Sequence, residues 1–502
     1  MAARNLADLV RAAADLHPDK RALIDADATL SWRELDEYVD RLALGLLAAG
    51  RVAGDRVGIL LPNGIPFAAT YFGVLRAGLV AVPLNPAYTA SELSYQLADA
   101  AVSALVVDAE RTGVVDGFDA DGLLVVDQPD GAWDRLLAAG AAADAAALGR
   151  VTTGAEDLAL LLYTSGTTGR PRGAMLSHRA LLANLNQISQ LDPPVFSPDD
   201  VGLLVLPLFH VYGLNCGLGM VAWSAATGVL ADRFDPVTTL ALVREHQVTT
   251  IVGAPPMYLA WSMLPDLAAS LSSVRLMLSG AAALPPAVFE AVDAAAHHPI
   301  YEGYGLTETA PVLTTTLGAE PKPGSVGRPL PGVEIRLLDE HGREVDESDP
   351  GEIVVRGANL FSGYWPDGDG GPDADGWFRT GDIAYADADG DLHLVDRTRE
   401  LIIVSGFNVY PREVEATLLD HPDVEDVAVV GVAHPYTGES VKALVVPKSG
   451  TTPTADALIE FAASRLARFK CPTTIEFVDE LPHSVTGKVA KGRLREAAEP
   501  TS

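Results

Sequence analysis

The sequence has 502 residues, of which 48% are apolar and 21% are charged, as in a packed globular protein of about three domain-sized units. Its 36 Lys and Arg stand against 67 Asp and Glu, so the formal net charge is −31. This charge argues against nucleic acid or an anionic lipid surface as the main partner, because their phosphates would be repelled.

The N-terminal segment and the cysteines predict a cytoplasmic protein. Residues 1–20 follow a helical pattern interrupted by Asp8 and Asp15, without the continuous apolar run of a secretory signal. The two cysteines, Cys216 and Cys471, exclude a disulfide framework and fit a reducing compartment. They also lack the paired spacing of a structural zinc site.

Short β-rich runs alternate with helical patterns through most of the first 300 residues, which predicts an α/β domain with a parallel sheet covered on both faces. The predicted strands are VGILLP (57–62), LVAVPLNP (79–86), SALVVD (103–108), LLVLPL (203–208), VTTIVGAPP (248–256) and VRLMLSGAA (274–282). Helices are predicted over 65–78 and 284–296. Because ligands of such sheets bind beyond the carboxyl ends of strands, the unusual residues that follow these runs are candidates for a site.

The uncharged stretch 201–231 is long enough to span a membrane. It contains Pro207, His210, Asn215 and several glycines, and it begins like a strand. We therefore predict a buried strand, loop and helix in this stretch, and no transmembrane segment.

The character of the chain changes after residue 325. Short strands separated by Gly and Asp turns predict a small β-rich subdomain over about 325–397. Beyond it we predict helices over 413–421 and 458–469 and strands over 424–432 and 441–447. The predicted organisation is a large N-terminal domain of packed α/β layers (1–397) and a small mobile α+β C-terminal domain (398–502), joined at a hinge at Arg399.

The most specific signal is the segment YTSGTTGRPRG (163–173), which follows the apolar run LALLL. Four Ser and Thr hydroxyls and three glycines in eleven residues fit neither a helix nor a regular strand. Glycines let the backbone approach a ligand closely, so that amide and hydroxyl donors converge on phosphate oxygens. The segment is not the P-loop of the common NTPases, because no GK[ST] follows at the required spacing.

Further motifs follow in a fixed order along nearly the whole chain: LPLFHVYGLN (206–215), LSGAAAL (278–284), GYGLTET (303–309), GWFRTGD (376–382), VDRTRELIIVSGFNVYPREVE (395–415) and PHSVTGK (482–488). With this set the sequence resembles the adenylate-forming superfamily, which comprises acyl-CoA synthetases, luciferases and peptide-synthetase adenylation domains. The details look most like bacterial fatty-acyl-CoA ligases and 4-coumarate-CoA ligases.

The resemblance implies an enzyme that uses ATP, Mg²⁺ and coenzyme A. A carboxylate attacks the α-phosphate of ATP to give an acyl-adenylate and pyrophosphate, and a thiol then displaces AMP. The first step brings two anions together and therefore needs cationic screening. The β- and γ-phosphates would be held by Thr164, Ser165, Gly166, Thr167, Thr168, Gly169 and Arg172.

The same resemblance assigns Thr307 to the α-phosphate and Glu308 to Mg²⁺, a hard cation that prefers carboxylate and phosphate oxygens. The nucleoside would be held by Gly280, Ala281, Ala282, Tyr304 and Gly305 around adenine, and by Asp382 and Arg397 at the ribose.

Lys488 is the predicted catalytic cation of the first step, because an ammonium on a mobile loop can contact both the carboxylate and the α-phosphate. For the second step the C-terminal domain would rotate about Arg399, a hinge motion at a few residues. The rotation would bring in a glycine loop that lines the path of the coenzyme A arm, made of Ser405, Gly406, Phe407 and Asn408.

The resemblance also implies an acyl pocket lined by Tyr212, Gly213, Cys216 and Gly217, together with Gly280 and Ala281. His210 would be a catalytic gate between the acyl site and the thiol channel. The matched pocket segments contain no Arg or Lys, which disfavours a dicarboxylic acid, since its second carboxylate would need a cation.

Two positions depart from the usual family pattern. Arg172 stands where the family has a lysine, which keeps the charge but exchanges a point donor for a planar fork. His483 stands where the family has an arginine, which makes the charge there pH-dependent.

We therefore predict an AMP-forming acid–CoA ligase, with a medium- or long-chain fatty acid as the favoured substrate. An aryl or cinnamic acid, or a carrier-protein thiol as acceptor, is the alternative within the fold, and a non-catalytic nucleotide-binding relative is a remote one. Residues 465–495 hold seven Lys or Arg against three Asp or Glu, a local excess of positive charge suited to polyanionic ligands.

Overall fold

The computed structural model describes residues 4–115, 122–126, 131–164, 171–296, 298–346, 349–397, 402–404, 407–434, 438–466, 468–482, 489, 491 and 494. The chain divides into two compact units. The first comprises Met1–Pro323, Gly327–Glu334 and Arg356–Phe378, and the second comprises Gly324–Val326, Ile335–Val355 and Arg379–Ser502.

Strands and helices alternate in the first unit, as the sequence predicts. The elements up to residue 177 are α1 (Asp8–Leu16), β1 (Arg21–Ile24), β2 (Thr29–Ser31), α2 (Trp32–Ala48), β3 (Arg56–Leu60), α3 (Ile65–Arg76), β4 (Val80–Pro83), α4 (Ala90–Asp99), β5 (Val102–Asp108), β6 (Leu123–Val126), α5 (Ala132–Ala142), β7 (Leu158–Thr164) and β8 (Arg172–Ser177). Short 3₁₀ turns cover Ala109–Val114 and Ala145–Arg150.

The elements up to residue 329 are α6 (His178–Ser189), β9 (Val201–Leu204), α7 (Met220–Trp223), β10 (Thr227–Leu230), α8 (Pro236–His246), β11 (Thr250–Gly253), α9 (Pro255–Ser262), α10 (Leu267–Ser270), β12 (Leu276–Ser279), α11 (Pro286–Ala296), β13 (Ile300–Gly305), β14 (Val312–Thr315) and β15 (Arg328–Pro329). A π-helix covers Tyr212–Gly219 and a 3₁₀ turn covers Thr307–Thr309.

A six-stranded sheet in the order β6-β5-β3-β4-β7-β8 forms one layer. Its strands are parallel except for β8, which returns antiparallel to β7. The strands are short apolar runs buried on both faces, as expected where helices cover a parallel sheet. The hairpin between β7 and β8 therefore begins from a strand whose centre is buried and whose last two residues, Tyr163 and Thr164, are partly buried.

A nine-stranded sheet forms a second layer, in the order β15-β14-β13-β12-β11-β9-β10-β1-β2. Its centre, from β13 to β1, is parallel, and the strands beyond each end of this run are antiparallel. Because β11, β12 and β13 are parallel neighbours, their carboxyl ends lie at the same edge of the sheet.

The stretch 201–231 folds as β9, the π-helix, α7 and β10, which confirms the predicted strand, loop and helix. Among the described residues, no helix has the length and apolarity needed to cross a membrane. The predicted cytoplasmic location stays a prediction.

In its described part, the second unit contains two further sheets and two helices with assigned bounds. Its elements are β16 (Glu334–Leu338), β17 (Gly351–Arg356), β18 (Phe378–Ala386), β19 (Leu392–Arg397), β20 (Ile402–Val404), β21 (Phe407–Val409), α12 (Pro411–Leu419), β22 (Val424–His434), β23 (Gly438–Pro447), α13 (Ala455–Ala463) and β24 (Thr474–Phe477). A 3₁₀ turn covers Arg468–Lys470. One sheet has the order β16-β17-β18-β19, and the other has the order β21-β20-β23-β22 with β24 beside β23.

The apolar faces of α12 and α13 supply Val414, Leu418, Leu458 and Ala462 to a core that they share with the second of these sheets. The predicted fold class, a large α/β N-terminal part with a smaller C-terminal part, is confirmed. The β-rich segment 325–397 is divided between the two compact units, and the predicted boundary at residues 397–398 stays a prediction, since the hinge residue Arg399 lies outside the described residues.

The first residue of α6, His178, provides a test of the packing of the first unit. Its side chain is 1% exposed, and its Nδ1 accepts a hydrogen bond from the backbone N–H of Leu6 at 3.1 Å. Burial lowers the pKa of His178 to about 4, against the opposing effect of Asp157 and Asp8. The folded protein therefore contains a neutral imidazole at pH values where an exposed histidine is protonated.

We expect the first unit to lose stability as the pH falls from 6.5 towards 4, because the unfolded imidazole binds a proton in this range and the folded one does not. At pH 5 the loss attributable to His178 is about 2 kcal/mol relative to pH 7.5. Urea denaturation followed by tryptophan fluorescence measures it, since all six tryptophans lie in the first unit. His178→Asn, which keeps an acceptor but does not titrate, is the control. If the free energy of unfolding fell equally between pH 7.5 and pH 5 in wild type and in His178→Asn, the loss could not be assigned to His178.

Candidate functional site

The glycine- and hydroxyl-rich segment lies at the hairpin between β7 and β8. Thr164 and Arg172 are cross-strand partners in this hairpin, so the predicted phosphate-binding residues at the two ends of the loop face each other. Between them, Ser165, Gly166, Thr167, Thr168 and Gly169 lie outside the described residues. The ends of the predicted phosphate-binding segment are therefore placed by paired strands, and its central residues stay a prediction.

The end of α4 contacts both sides of the hairpin. The Tyr163 hydroxyl donates a hydrogen bond to Asp99 Oδ2 at 2.6 Å, and the Tyr95 hydroxyl donates to the Pro171 carbonyl at 3.2 Å. Trp365 Nε1 donates to the Asp99 carbonyl at 2.9 Å. Burial, together with the neighbouring Asp99 carboxylate, raises the pKa of Tyr163, so its hydroxyl stays a donor. These contacts fix the two ends of the hairpin connection, at Tyr163 and Pro171.

The segment from Gly305 to Pro311 makes a tight turn after β13. A Cβ on Gly305 would lie 1.8 Å from the Pro311 carbonyl oxygen, so the turn admits only glycine there. Within it the Thr309 hydroxyl accepts the Leu306 N–H at 3.0 Å, and Ala310 adopts a left-handed φ of 63°. Thr307 and Glu308 lie at the partly exposed crest of this turn. The chain reversal thus presents both predicted site residues together.

Buried amide side chains bind the carbonyls that the turn leaves without backbone partners. Asn215 Nδ2 donates to the Ala310 carbonyl at 2.7 Å, and Asn359 Nδ2 donates to the Thr309 carbonyl at 2.8 Å. Asn359 in turn accepts a hydrogen bond from Gln187 at 3.2 Å, and Asn184 bonds both the N–H and the carbonyl of Val312. Sequence reasoning missed these positioning residues, because single Asn and Gln residues on separate elements form no motif.

Glu308 and Arg172 both contact the side chain of Tyr364. The Tyr364 hydroxyl donates a hydrogen bond to Glu308 Oε1 at 2.6 Å. The Arg172 guanidinium lies over the Tyr364 ring, 3.9 Å from its centroid. The structure therefore joins the predicted metal ligand and a predicted phosphate ligand through one aromatic residue. Sequence reasoning missed Tyr364, which lies in the segment GANLFSGYW (357–365), outside the quoted motifs.

The loop after β12 contains the residues predicted to face adenine. Gly280 lies against the ring of Tyr212, since a Cβ there would be 2.8 Å from the ring, and Ala281 has a left-handed φ of 69°. The buried Glu302 carboxylate accepts the Leu284 N–H at 3.0 Å and so closes the loop that contains Ala282. Tyr304, 8% exposed, lies on β13, the parallel neighbour of β12. The predicted adenine residues therefore share one sheet edge.

The predicted acyl-pocket residues lie on the π-helix Tyr212–Gly219. Such helices are rare and occur often at functional sites. A Cβ on Gly213 would be 2.6 Å from the Pro207 carbonyl oxygen, and a Cβ on Gly217 would be 3.2 Å from the Leu204 side chain, so both are close-approach positions. Burial raises the pKa of the Cys216 thiol to about 12, which leaves an unreactive neutral group.

His210 precedes the π-helix and is partly buried. Its Nδ1 accepts the Tyr212 N–H at 3.4 Å, and its carbonyl accepts the Leu214 N–H at 2.9 Å. Because Nδ1 accepts this hydrogen bond, the neutral His210 ring carries its proton on Nε2. The predicted gate is thus attached to the first turn of the helix that holds the pocket residues.

The remaining predicted residues belong to the second unit. Asp382, 6% exposed, lies on β18 directly opposite Arg397 on β19, and the predicted ribose contact of the two stays a prediction. The side chain of Arg397 lies outside the description, as do Arg399, Ser405, Gly406 and Lys488. Phe407 and Asn408 lie on β21, which pairs antiparallel with β20. The predicted coenzyme A path and catalytic lysine stay predictions.

With this geometry in place, comparison with known proteins is informative. A family model described as AMP-binding enzyme matches residues 10–365, and one described as AMP-binding enzyme C-terminal domain matches residues 413–488. The feruloyl-CoA synthase of Amycolatopsis sp is 39% identical over 498 residues, which cover 96% of each chain. The long-chain-fatty-acid–CoA ligase of Bacillus subtilis (strain 168) is 34% identical over 528 residues, covering 98% of this chain and 94% of that one.

Among solved structures, ATP-bound MatB from Rhodopseudomonas palustris matches with a TM-score of 0.89 and 36% identity, over 98% of this chain and 99% of that one. Two family models and full-length relatives thus agree with the order of motifs along the chain. The chain belongs to the AMP-binding enzyme family, within the adenylate-forming superfamily that its motifs predict.

Proposed function

We propose that this protein is an ATP- and Mg²⁺-dependent acid–thiol ligase that converts an aromatic monocarboxylic acid of the arylpropenoic type into its coenzyme A thioester. The reaction class is supported by the match of both family models over the two parts of the chain. The aromatic substrate is supported by the packing of the Tyr212 ring against Gly280 and by the 39% identity to a feruloyl-CoA synthase.

The acyl site proposed beside the π-helix has two aromatic side chains, Tyr212 and Tyr258. Tyr212 lies against the backbone of Gly280, and its electrostatic neighbours are Cys216 and Tyr258. Tyr258 is fixed by a 2.6 Å hydrogen bond from its hydroxyl to the Leu278 carbonyl. A planar acid suits this surface, because aromatic rings pack favourably in offset or edge-on geometry. Burial raises the pKa of Tyr212, so its phenol stays neutral beside an apolar ring.

A fatty acid, which the sequence favoured, is the second candidate. The 34% identity to a long-chain-fatty-acid–CoA ligase supports it. Gly213 and Gly217 do not, because they are filled closely by the Pro207 carbonyl and the Leu204 side chain and leave no added volume for an acyl chain. A carrier-protein thiol as acceptor remains an alternative for the second step. A non-catalytic nucleotide-binding relative is not favoured, since Glu308, Asp382 and Lys488 are all present.

Within the proposed reaction the chain's own residues bind and orient the two anions. The β7–β8 hairpin binds the terminal phosphates, Thr307 donates to the α-phosphate, and Asp382 accepts hydrogen bonds from the ribose. Glu308 fits Mg²⁺ by its chemistry, because it is a hard oxygen donor beside a phosphate-binding loop. Bound there with ATP, Mg²⁺ would offset the charge of the phosphate oxygens. Lys488 supplies the cation that brings the carboxylate to the α-phosphate.

The substrate class is tested by an acid panel. We expect kcat/KM for ferulic and cinnamic acids to exceed that for C8–C16 fatty acids at least about tenfold, a difference of about 1.4 kcal/mol in transition-state binding. The measurement is AMP release with ATP, Mg²⁺ and coenzyme A. Gly280→Ala should lower the aryl activity, because its methyl group would displace the Tyr212 ring. Higher kcat/KM for the fatty acids would replace the aromatic proposal with the second candidate.

The role of Lys488 is tested by separating the two half-reactions. We expect Lys488→Ala to reduce acid-dependent pyrophosphate–ATP exchange by about 10²–10³, because a preorganised charge at the reacting phosphate is lost. Thioester formation from a preformed acyl-adenylate should stay near the wild-type rate. Lys448→Ala, which removes an exposed lysine of the same unit, is the matched control. Undiminished exchange in Lys488→Ala would disprove the role.

A further inference from the structure

The side chain of Tyr364 lies between two groups of opposite charge. Its hydroxyl donates to the Glu308 carboxylate at 2.6 Å, while its ring face carries the Arg172 guanidinium 3.9 Å from the centroid. We propose that Tyr364 is a positioning residue that keeps Glu308 available to Mg²⁺ and Arg172 available to the phosphates of ATP, and prevents the two from pairing with each other. This proposal rests on the site proposed above.

The backbone around Tyr364 is fixed to the strand that bears Arg172. Trp365 donates its N–H to the Gly173 carbonyl at 2.8 Å, and Ser362 donates to the Met175 carbonyl at 2.9 Å. The Tyr364 N–H donates to the Asp369 carbonyl at 3.0 Å. Segment 362–365 thus pairs along β8, and this ladder fixes the backbone of Tyr364 relative to the backbone of the strand that begins at Arg172.

The ring itself is held on further sides. Phe361 packs edge-on against it with 5.1 Å between centroids, and a Cβ on Gly370 would approach the ring to 3.2 Å. The Phe361 N–H donates to the Glu308 carbonyl at 2.9 Å, so the same segment also binds the backbone of the metal ligand. Both charged residues are therefore located relative to one aromatic ring.

This arrangement accounts for arginine at position 172, where the resembled family has lysine. A guanidinium stacks flat on an aromatic face and keeps its five N–H donors at its edge, free for phosphate oxygens. An ammonium has no plane to stack and would be drawn more easily to a nearby carboxylate. The hydrogen bond from the Tyr364 hydroxyl also occupies Oε1 of Glu308 and orients Oε2. Residues that hydrogen-bond to a metal ligand commonly orient it in this way.

The test measures binding of ATP, by calorimetry without an acid substrate, at a series of Mg²⁺ concentrations. Tyr364→Phe keeps the ring and removes the hydroxyl, and it should raise the Mg²⁺ concentration for half-maximal ATP binding about tenfold while changing ATP affinity at saturating Mg²⁺ less than about twofold. Tyr364→Leu removes both contacts and should also weaken ATP binding at saturating Mg²⁺ about tenfold.

Tyr71→Phe is the matched control, because it removes a buried hydroxyl for which the described part of the chain offers no hydrogen-bond partner, and it should bind ATP as wild type does. Glu308→Gln separates the two proposals. If Glu308→Gln alters the Mg²⁺ dependence and Tyr364→Phe does not, the role of Tyr364 alone is overturned. If wild type binds ATP and Glu308→Gln leaves the Mg²⁺ dependence unchanged, the proposed role of Glu308 fails and that of Tyr364 with it. Tyr364→Phe removes one hydroxyl and keeps the packing of the ring. The Mg²⁺ dependence of Tyr364→Phe therefore decides the proposal even if Tyr364→Leu does not fold.

Discussion

The hydrogen bonds between buried amide side chains and the 305–312 turn are the interaction on which the site depends. The turn pairs the carbonyls of Leu306, Thr307 and Pro311 with its own N–H groups, whereas those of Thr309 and Ala310 are bound by side chains. A buried carbonyl without a partner costs about 1–3 kcal/mol. Asn359 and Asn215 bind the Thr309 and Ala310 carbonyls, and Asn184 binds the strand that follows. Because these side chains come from α6, the π-helix and the segment after β17, the turn is held from several elements at once. That support lets Thr307 and Glu308 stand at a partly exposed crest without the turn itself being mobile.

A second constraint is electrostatic. The protein carries a formal charge of −31 and belongs to a family that binds ATP. A local site with Lys or Arg side chains must therefore offset the repulsion between the acidic protein and the phosphates. The Arg172 guanidinium stacks on the Tyr364 ring and forms no ion pair with a carboxylate among the residues that the structure describes. Elsewhere in the first unit arginines form ion pairs instead, as Arg275 does with Asp200 and Arg76 with Asp36.

The sequence predicted the fold class and most elements of both units, because apolar runs of strand length alternate with helical patterns. It also predicted that the 163–173 segment follows a strand, which β7 confirms. It did not predict the π-helix at Tyr212–Gly219, since a glycine-rich apolar stretch has no period that distinguishes a π-helix from a loop. Nor did it predict two large sheets in place of one, because strand order depends on contacts between distant residues.

The sequence by itself determined the family and the reaction class. The residues that carry the chemistry lie in short contiguous motifs, which can be recognised without knowledge of the fold. Only the tertiary structure decided what holds those residues. Tyr364 is 56 residues from Glu308 and meets it through pairing of segment 362–365 with β8. Asn359 and Gln187 meet although 172 residues separate them. Such partners have no local signature, since a single tyrosine or amide acquires its role from the groups that packing brings to it.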